Sequence, residues 1–327
     1  MELLAGFSLP ASIGGTALTV GTFDGVHRGH QDVLARLVHH ARAVGLPSLL
    51  VTFEPHPLEV VNPAAAPLLL TTREEKLAAL GVTGIEYVAI VPFTPELAAQ
   101  SADEFVDRGL LSGFRMRELL IGHDHGFGRG REGDVDTLRT LGETRGFGVH
   151  VVPPVQTAAG QPISSSLIRR AVSAGELPAA AAALGRDYSV SGTVVPGESR
   201  GRTLGYRTLN LQLDSPRKLL PPDGVYAVDV QTPRGRFGGM MNLGARPTFD
   251  DARRTIEAHL FDTDGDFYGD VVRIAFVGRL RDTMRFDGAA ALMTQLADDE
   301  RAARRALTAI GGTGNLNGST PAPPSTP

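Results

Sequence analysis

Apolar residues in the first half of the chain fall into short continuous runs separated by helically spaced stripes. The runs Ala17 to Phe23, Pro47 to Phe53, Ile85 to Pro92, Glu118 to Gly122 and Phe147 to Pro153 have strand length and predict buried strands. Between the first two, Val33, Leu34, Leu37, Val38, Ala41 and Val44 make one helical stripe that stops near Gly45. Helical patterns around Arg73 to Leu80, Ser101 to Leu110 and Asp136 to Arg145 continue the alternation. Strand and helix in turn predict α/β architecture on a parallel sheet.

The pattern changes after the alanine-rich stretch Leu177 to Leu184, which Gly185 closes. Beyond it, Val190 to Val195, Val225 to Gln231, Arg236 to Leu243, Ile256 to Phe261 and Val271 to Leu280 are short β segments between Gly, Pro and Asp turns, with Thr232 to Gly235 as a hairpin connection. These predict an antiparallel β-barrel, since closure removes exposed strand edges. A last helix, about Asp287 to Ile310, puts Leu292, Leu296, Ala303, Leu307 and Ile310 on one face for packing against the barrel. The expected organisation is therefore a domain over 1–184, a second over 185–310, and a disordered tail over 311–327, where GGTGNLNGSTPAPPSTP has no periodicity. No internal repeat is visible.

Composition narrows the function. At 327 residues with 42% hydrophobic and 21% charged positions, the chain reads as a soluble two-domain protein without an apolar run long enough for a membrane span. The N-terminus MELLAGFSLP lacks the basic region of a secretory signal, and the absence of cysteine fits a reducing compartment, so a cytoplasmic location is expected. Cysteine nucleophiles and thiolate metal sites are excluded with it. A net charge of −4 argues against a general nucleic-acid binder. Lys76 and Lys218 are the only lysines and neither follows glycine, so a Walker A loop is absent.

The segment GTFDGVHRGH, Gly21 to His30, joins the first strand to the first amphipathic helix. Its glycines let backbone approach a ligand, and the unpaired N–H groups at the helix start favour an anion. His27 and His30 stand at the helix entrance, spaced to donate hydrogen bonds to one polyphosphate. Three other patterns are decoys. Gly128, Gly130 and Gly133 match GxGxxG but lead into no helix directly; His123 and His125 share a strand face from which Asp124 points away; and DTDGD at Asp262 to Asp266 puts Phe267 where a calcium loop needs glycine.

GTFDGVHRGH resembles the HxGH signature of the nucleotidyltransferase superfamily, and specifically of bacterial riboflavin kinase/FAD synthetases. The likeness extends from about residue 15 to 305, through TFEPHP (Thr52 to Pro57), IGHDHGFGRGREGD (Ile121 to Asp134) and ISSSLIRR (Ile163 to Arg170). It implies a Rossmann-like adenylyltransferase domain. Nucleotide contacts are implied at Gly21, Phe23, Asp24, Gly25, Gly29, Asp124, Gly128, Ser164, Ser165 and Ser166, catalytic roles at His27, His30 and Arg169, and a flavin contact at His56. In the second half, GESRGRTLGYRTLNL (Gly197 to Leu211), NLGARPTF (Asn242 to Phe249), TIEAHLFDTDGDFYGD (Thr255 to Asp270) and RLRDTMRFDG (Arg279 to Gly288) are similar to the same family's riboflavin kinase barrel. That likeness implies nucleotide contacts at Gly197, Gly201, Thr203, Gly205, Thr208 and Asn210, magnesium on Thr208 and Asn210, flavin contacts at Asn242 and Arg281, and Glu257 as general base. Leu167 and the run Arg207-Thr208-Leu209-Asn210 depart from the usual ISSTRIR and PTAN.

The activity so implied is bifunctional: ATP phosphorylates riboflavin to FMN, then adenylylates FMN to FAD. Flavins and ATP are the implied partners of a monomer or weak homo-oligomer. An adenylyltransferase with a flavin-binding but weak or inactive kinase domain is the second reading.

Overall fold

The structure is a computed structural model describing residues 1–123, 126–128, 130, 132–197, 206–245 and 254–311. It divides into two compact units, Met1–Arg170 with Ala183–Gly185 and Arg217–Leu219, and Ala171–Ala182 with Arg186–Pro216 and the remainder from Leu220. The described elements are β1 (Glu2–Ala5), β2 (Thr16–Val20), α1 (Arg28–Ala43), β3 (Ser48–Glu54), α2 (Pro57–Val61), α3 (Arg73–Gly81), β4 (Tyr87–Pro92), α4 (Pro95–Ala98), α5 (Ala102–Glu104), β5 (Met116–Gly122), α6 (Val135–Arg145), β6 (Gly148–Val152), α7 (Ser165–Ala174), α8 (Leu177–Leu184), β7 (Ser189–Val195), β8 (Leu209–Leu213), β9 (Gly224–Thr232), β10 (Gly235–Ala245), β11 (Arg254–Leu260), β12 (Val271–Arg281) and α9 (Ala289–Gly311).

In the first unit a six-stranded parallel sheet has the order β1-β4-β3-β2-β5-β6. All five residues of β2 and the first six of β3 are buried, as a sheet covered on both faces demands. One face packs Leu18, Val51, Phe105, Leu119 and Leu138; the other packs Ala17, Leu50 and Val88 against Leu34, Leu37 and Ala41 of α1. The chain leaves β2 toward β3 on one side and places β5 on the other. The order therefore reverses at β2, and the carboxyl end of that strand is where open α/β sheets form ligand crevices.

The predicted helix from Ser101 to Leu110 is realised differently. α5 is one capped turn, and Phe105–Gly113 continues as a wider π-helical stretch. Gly109 and Gly113 face the Phe7 ring and backbone there, where an added Cβ would come within 2.8 and 3.0 Å of Phe7 atoms. β1 and β8 are further differences: β1 is a short, mostly exposed edge, and Leu209–Leu213 forms a strand where the sequence reads as the end of a loop.

In the second unit six antiparallel strands close into a barrel in the order β10-β11-β8-β7-β12-β9. Strict alternation of buried and half-buried residues along β7 sends every second side chain inward. α9 lies against the barrel through Leu296, Ala303, Ala306 and Leu307, and Leu307 approaches Gly238 so closely that a Cβ there would sit 2.8 Å from it. The tail expected from Gly311 lies outside the described residues apart from Gly311 itself, the last residue of α9.

Candidate active sites

The loop after β2 is strained and tightly held. Phe23 and Val26 have φ of 47° and 40°, in the left-handed region that a β-branched or bulky side chain rarely occupies. Gly25, at φ 84°, has Leu70 against it, so both its conformation and its neighbour exclude a side chain. Such strain costs on the order of 1–3 kcal/mol per residue and persists only where surroundings over-determine it. Here the surroundings are visible. Asp24 is 2% exposed, and its carboxylate accepts from the Leu70 and Thr71 amides at 3.0 and 2.9 Å, from the Thr71 hydroxyl at 3.1 Å and from the Arg169 guanidinium at 2.6 Å. Thr71 Oγ1 in turn accepts from the Gly25 amide at 3.0 Å, and the Ser165 hydroxyl donates to the Asp24 carbonyl at 2.9 Å.

The result is a fixed entrance to α1. His27 is the N-cap, and its Nδ1 accepts from the His30 amide at 3.3 Å. With Nδ1 an acceptor, the neutral ring carries its proton on Nε2, which makes that atom a donor. The His30 ring stacks on His27 with centroids 3.6 Å apart and lies 4.5 Å from the Phe23 ring. Gly29 permits this packing, since a Cβ would stand 3.2 Å from the His27 ring. Burial, then His27, then Lys76 hold the His30 imidazole well below its ordinary pKa, so it is neutral near pH 7. His30 Nδ1 is buried with no hydrogen-bond partner among the described residues.

Two further groups face the same end of the sheet. His56 caps α2, its Nδ1 accepting from the Leu58 amide at 3.2 Å, and its pKa is lowered, first by burial and then by Arg169 and Lys76 against the opposing pull of Asp24. Lys76 of α3 donates to the Thr22 carbonyl at 3.1 Å, inside the cradle, and burial depresses its pKa against the pull of Asp24 and Glu54. Lys76 is the residue that sequence reasoning passes over: it serves there only to exclude a Walker loop. Its signal was scarcity, a lysine in a chain whose other basic residues are nearly all arginine. Lys76→Met is expected to slow adenylyl transfer on the order of 100-fold, as loss of one transition-state donor does, with riboflavin phosphorylation unchanged in the same assay.

Other expected residues have structural partners. Arg169, besides its pair with Asp24, donates through Nε to the Leu68 carbonyl at 2.9 Å, so its guanidinium is tied to the cradle wall. Ser164 accepts from the Leu167 amide at 3.2 Å as the cap of α7, while Ser166 is exposed. Gly128, φ 78°, packs against the Ala102 backbone, where a Cβ would fall 2.7 Å from its nitrogen. Contrary to the sequence expectation the glycine spacing does run into a helix, since Asp134 caps α6 directly after Gly133, but Gly133 too is packed against protein, Phe127 and Ala102. Asp124 lies outside the described residues.

The barrel assembles a second polar group across neighbouring strands. Asn210 of β8 pairs with Glu257 of β11, and Glu257 pairs with Asn242 of β10. Residues directly opposite in an antiparallel ladder share a face, so the carboxylate stands between two carboxamides. The flanking Leu209, Leu211, Ile256, Ala258, Met241 and Leu243 are all buried, whereas Asn210 and Glu257 are half-buried and Asn242 is exposed, which assigns this rung to the outer face. Gly197 touches Asn210 so closely that a Cβ would overlap its side-chain amide at 1.9 Å. Arg207 anchors the strand start: its guanidinium donates to the Asp264 carbonyl at 2.9 Å and its own carbonyl lies 2.8 Å from His259 Nδ1. Gly201, Thr203 and Gly205 lie outside the described residues. Arg281 is engaged with Asp299 of α9 at 2.6 Å, a carboxylate 4% exposed that also accepts from Gln295 at 2.9 Å. Loss of one partner from such a buried pair costs about 3–5 kcal/mol, so Arg281 fastens the terminal helix to the barrel.

A strained loop at the switch point of a parallel sheet, with a closed six-stranded barrel that sets a carboxylate among amides, places the chain among proteins that join an α/β unit to an antiparallel barrel. The comparisons agree. The FAD synthetase family matches residues 9–167 and the riboflavin kinase family residues 184–307. A bifunctional riboflavin kinase/FMN adenylyltransferase of Pseudomonas fluorescens is 38% identical over 306 residues, 93% of this chain and 97% of that one, and its counterpart in Escherichia coli K12 is 38% identical over 89% of this chain and 92% of that one. A solved structure described as a macrolide-efflux protein from Streptococcus pneumoniae superposes with a TM-score of 0.80 at 31% identity, covering 93% of this chain and 99% of that one. Among the described residues no helix is long and apolar enough to cross a membrane. The chain belongs to the family of bifunctional riboflavin kinase/FMN adenylyltransferases.

Proposed function

We propose that this chain makes FMN from riboflavin within residues 185–310 and FAD from FMN within residues 1–184, with ATP as donor in both steps and the cytoplasm as its setting. In the first step Glu257 accepts the proton of the ribityl hydroxyl as that oxygen attacks the γ-phosphorus of ATP, and ADP leaves. Asn242 contacts the flavin. Thr208 and Asn210 offer uncharged oxygen donors of the kind a hard cation prefers, and Asn210 is positioned by its close contact with Gly197. Magnesium held there would neutralise charge on the ATP phosphates.

In the second step the FMN phosphate attacks the α-phosphorus of ATP and pyrophosphate leaves, with no covalent enzyme intermediate. The Nε2–H of His27, the neutral His30 ring, the backbone at Gly21, Phe23, Gly25 and Gly29, and the Lys76 ammonium meet charge that grows in the transition state. Asp24, Ser165 and Arg169 act by holding that loop, and His56 borders the flavin. The observation that carries the bifunctional reading is Glu257 standing between Asn210 and Asn242 in a barrel separate in sequence from the histidine cradle. A chromatographic time course with riboflavin, ATP and magnesium tests it: FMN should rise first and FAD follow. FAD from supplied FMN but none from riboflavin would leave only the adenylyltransferase.

A further inference from the structure

A cluster of the first unit, apart from the histidine cradle, joins His40, Glu118 and His150. Glu118 of β5 lies opposite Gly148 of β6 in the parallel ladder, and His150 follows Gly148 on the same face. A Cβ at residue 148 would lie 2.2 Å from Glu118 Oε2, so the glycine leaves room for the carboxylate to lean across the strand gap. It reaches His150 Nε2 at 2.7 Å, and His40, in the last turn of α1, brings its own Nε2 to 3.3 Å from the same oxygen. The two rings tilt together with centroids 4.3 Å apart. One ligand atom from each residue thus falls within 4.8 Å of the other two.

We propose that His40, Glu118 and His150 form a binding site for a divalent ion of the zinc class. Two imidazole nitrogens and a carboxylate oxygen are the donor set that zinc takes at about 2.0–2.2 Å, which separates tetrahedral ligands by roughly 3.3 Å. Small rotations of three partly exposed side chains close the cluster to that size; they are 27%, 23% and 44% exposed, so water can fill the fourth position. Magnesium and calcium prefer all-oxygen sites, which separates this site from any ATP-bound cation. A cation at the C-terminal end of α1 also complements the helix dipole. Bound there, it ties α1 to β5 and β6. His30 is ten residues away along α1, about 15 Å at the helical rise, so occupancy is independent of the phosphate cradle.

The test uses the full chain and zinc chloride alone, titrated by calorimetry and by competition with a chromophoric chelator, with cobalt(II) as a spectroscopic stand-in. One equivalent should bind at micromolar or lower concentration, cobalt should give the intense visible bands of a tetrahedral site, and zinc should raise the melting temperature. Glu118→Gln and, separately, the more exposed His150→Gln should weaken binding on the order of 100-fold, with melting in the absence of metal showing that each variant folds. His27→Ala/His30→Ala should bind zinc as the parent does, and millimolar magnesium should not displace it. Absence of zinc binding, or binding that survives in both Glu118→Gln and His150→Gln, overturns the proposal.

Discussion

Glu257→Gln will phosphorylate riboflavin on the order of 10²–10⁴-fold more slowly than the parent while converting supplied FMN to FAD at the parental rate. The size follows from the role. A carboxamide keeps the shape and polarity of the rung between Asn210 and Asn242 but cannot take a proton, so the loss reads general-base catalysis rather than repacking. The riboflavin KM should change little, because glutamine can still accept a hydrogen bond from the ribityl hydroxyl. A parental rate in this variant would remove Glu257 from the chemistry.

The reciprocal result is expected at the other site. His27→Ala/His30→Ala should abolish detectable FAD formation and leave FMN formation intact. One transition-state donor is worth on the order of 10²–10³ in rate, and this pair removes two from one stacked unit. The double change removes both stacked rings at once, and with them the cap that His27 gives α1 by accepting from the His30 amide. Losing a cap costs about 1 kcal/mol, too little to unfold a domain whose sheet is buried on both faces. The melting temperature should therefore fall by only a few degrees. Unchanged adenylylation in the double variant would sink the assignment.

Much of this was legible in the sequence, for reasons that differ by element. The α1 stripe from Val33 to Ala41 and the runs of β2 and β3 were plain because burial on a covered sheet leaves long apolar signatures. The strand Leu209–Leu213 was hidden by its place at the end of a glycine-rich loop, although Leu209, Leu211 and Leu213 alternate as a strand requires. The π-helical stretch could not be read, because Phe7 is distant in sequence from the glycines at 109 and 113 that accommodate it. The histidines of GTFDGVHRGH declared themselves through their position between strand and helix. What the sequence could not supply was partnership: that Asp24 is spent on Leu70, Thr71 and Arg169, that Arg281 belongs to Asp299, and that Lys76 reaches the Thr22 carbonyl all depend on segments brought together only by folding. Residue type announced the candidate chemistry, and tertiary contact showed which of those side chains already hold a protein partner.

Complementation between the two disabled variants tests the central claim most directly. Glu257→Gln alone and His27→Ala/His30→Ala alone, each given riboflavin, ATP and magnesium, should yield little or no FAD, the first for want of FMN and the second for want of adenylyl transfer. Mixed in one vessel they should form FAD after a lag in which FMN accumulates. If the mixture stays blocked although each variant retains its complementary activity in isolation, or if either variant alone carries riboflavin through to FAD at the parental rate, the assignment of two independent sites in this chain is contradicted.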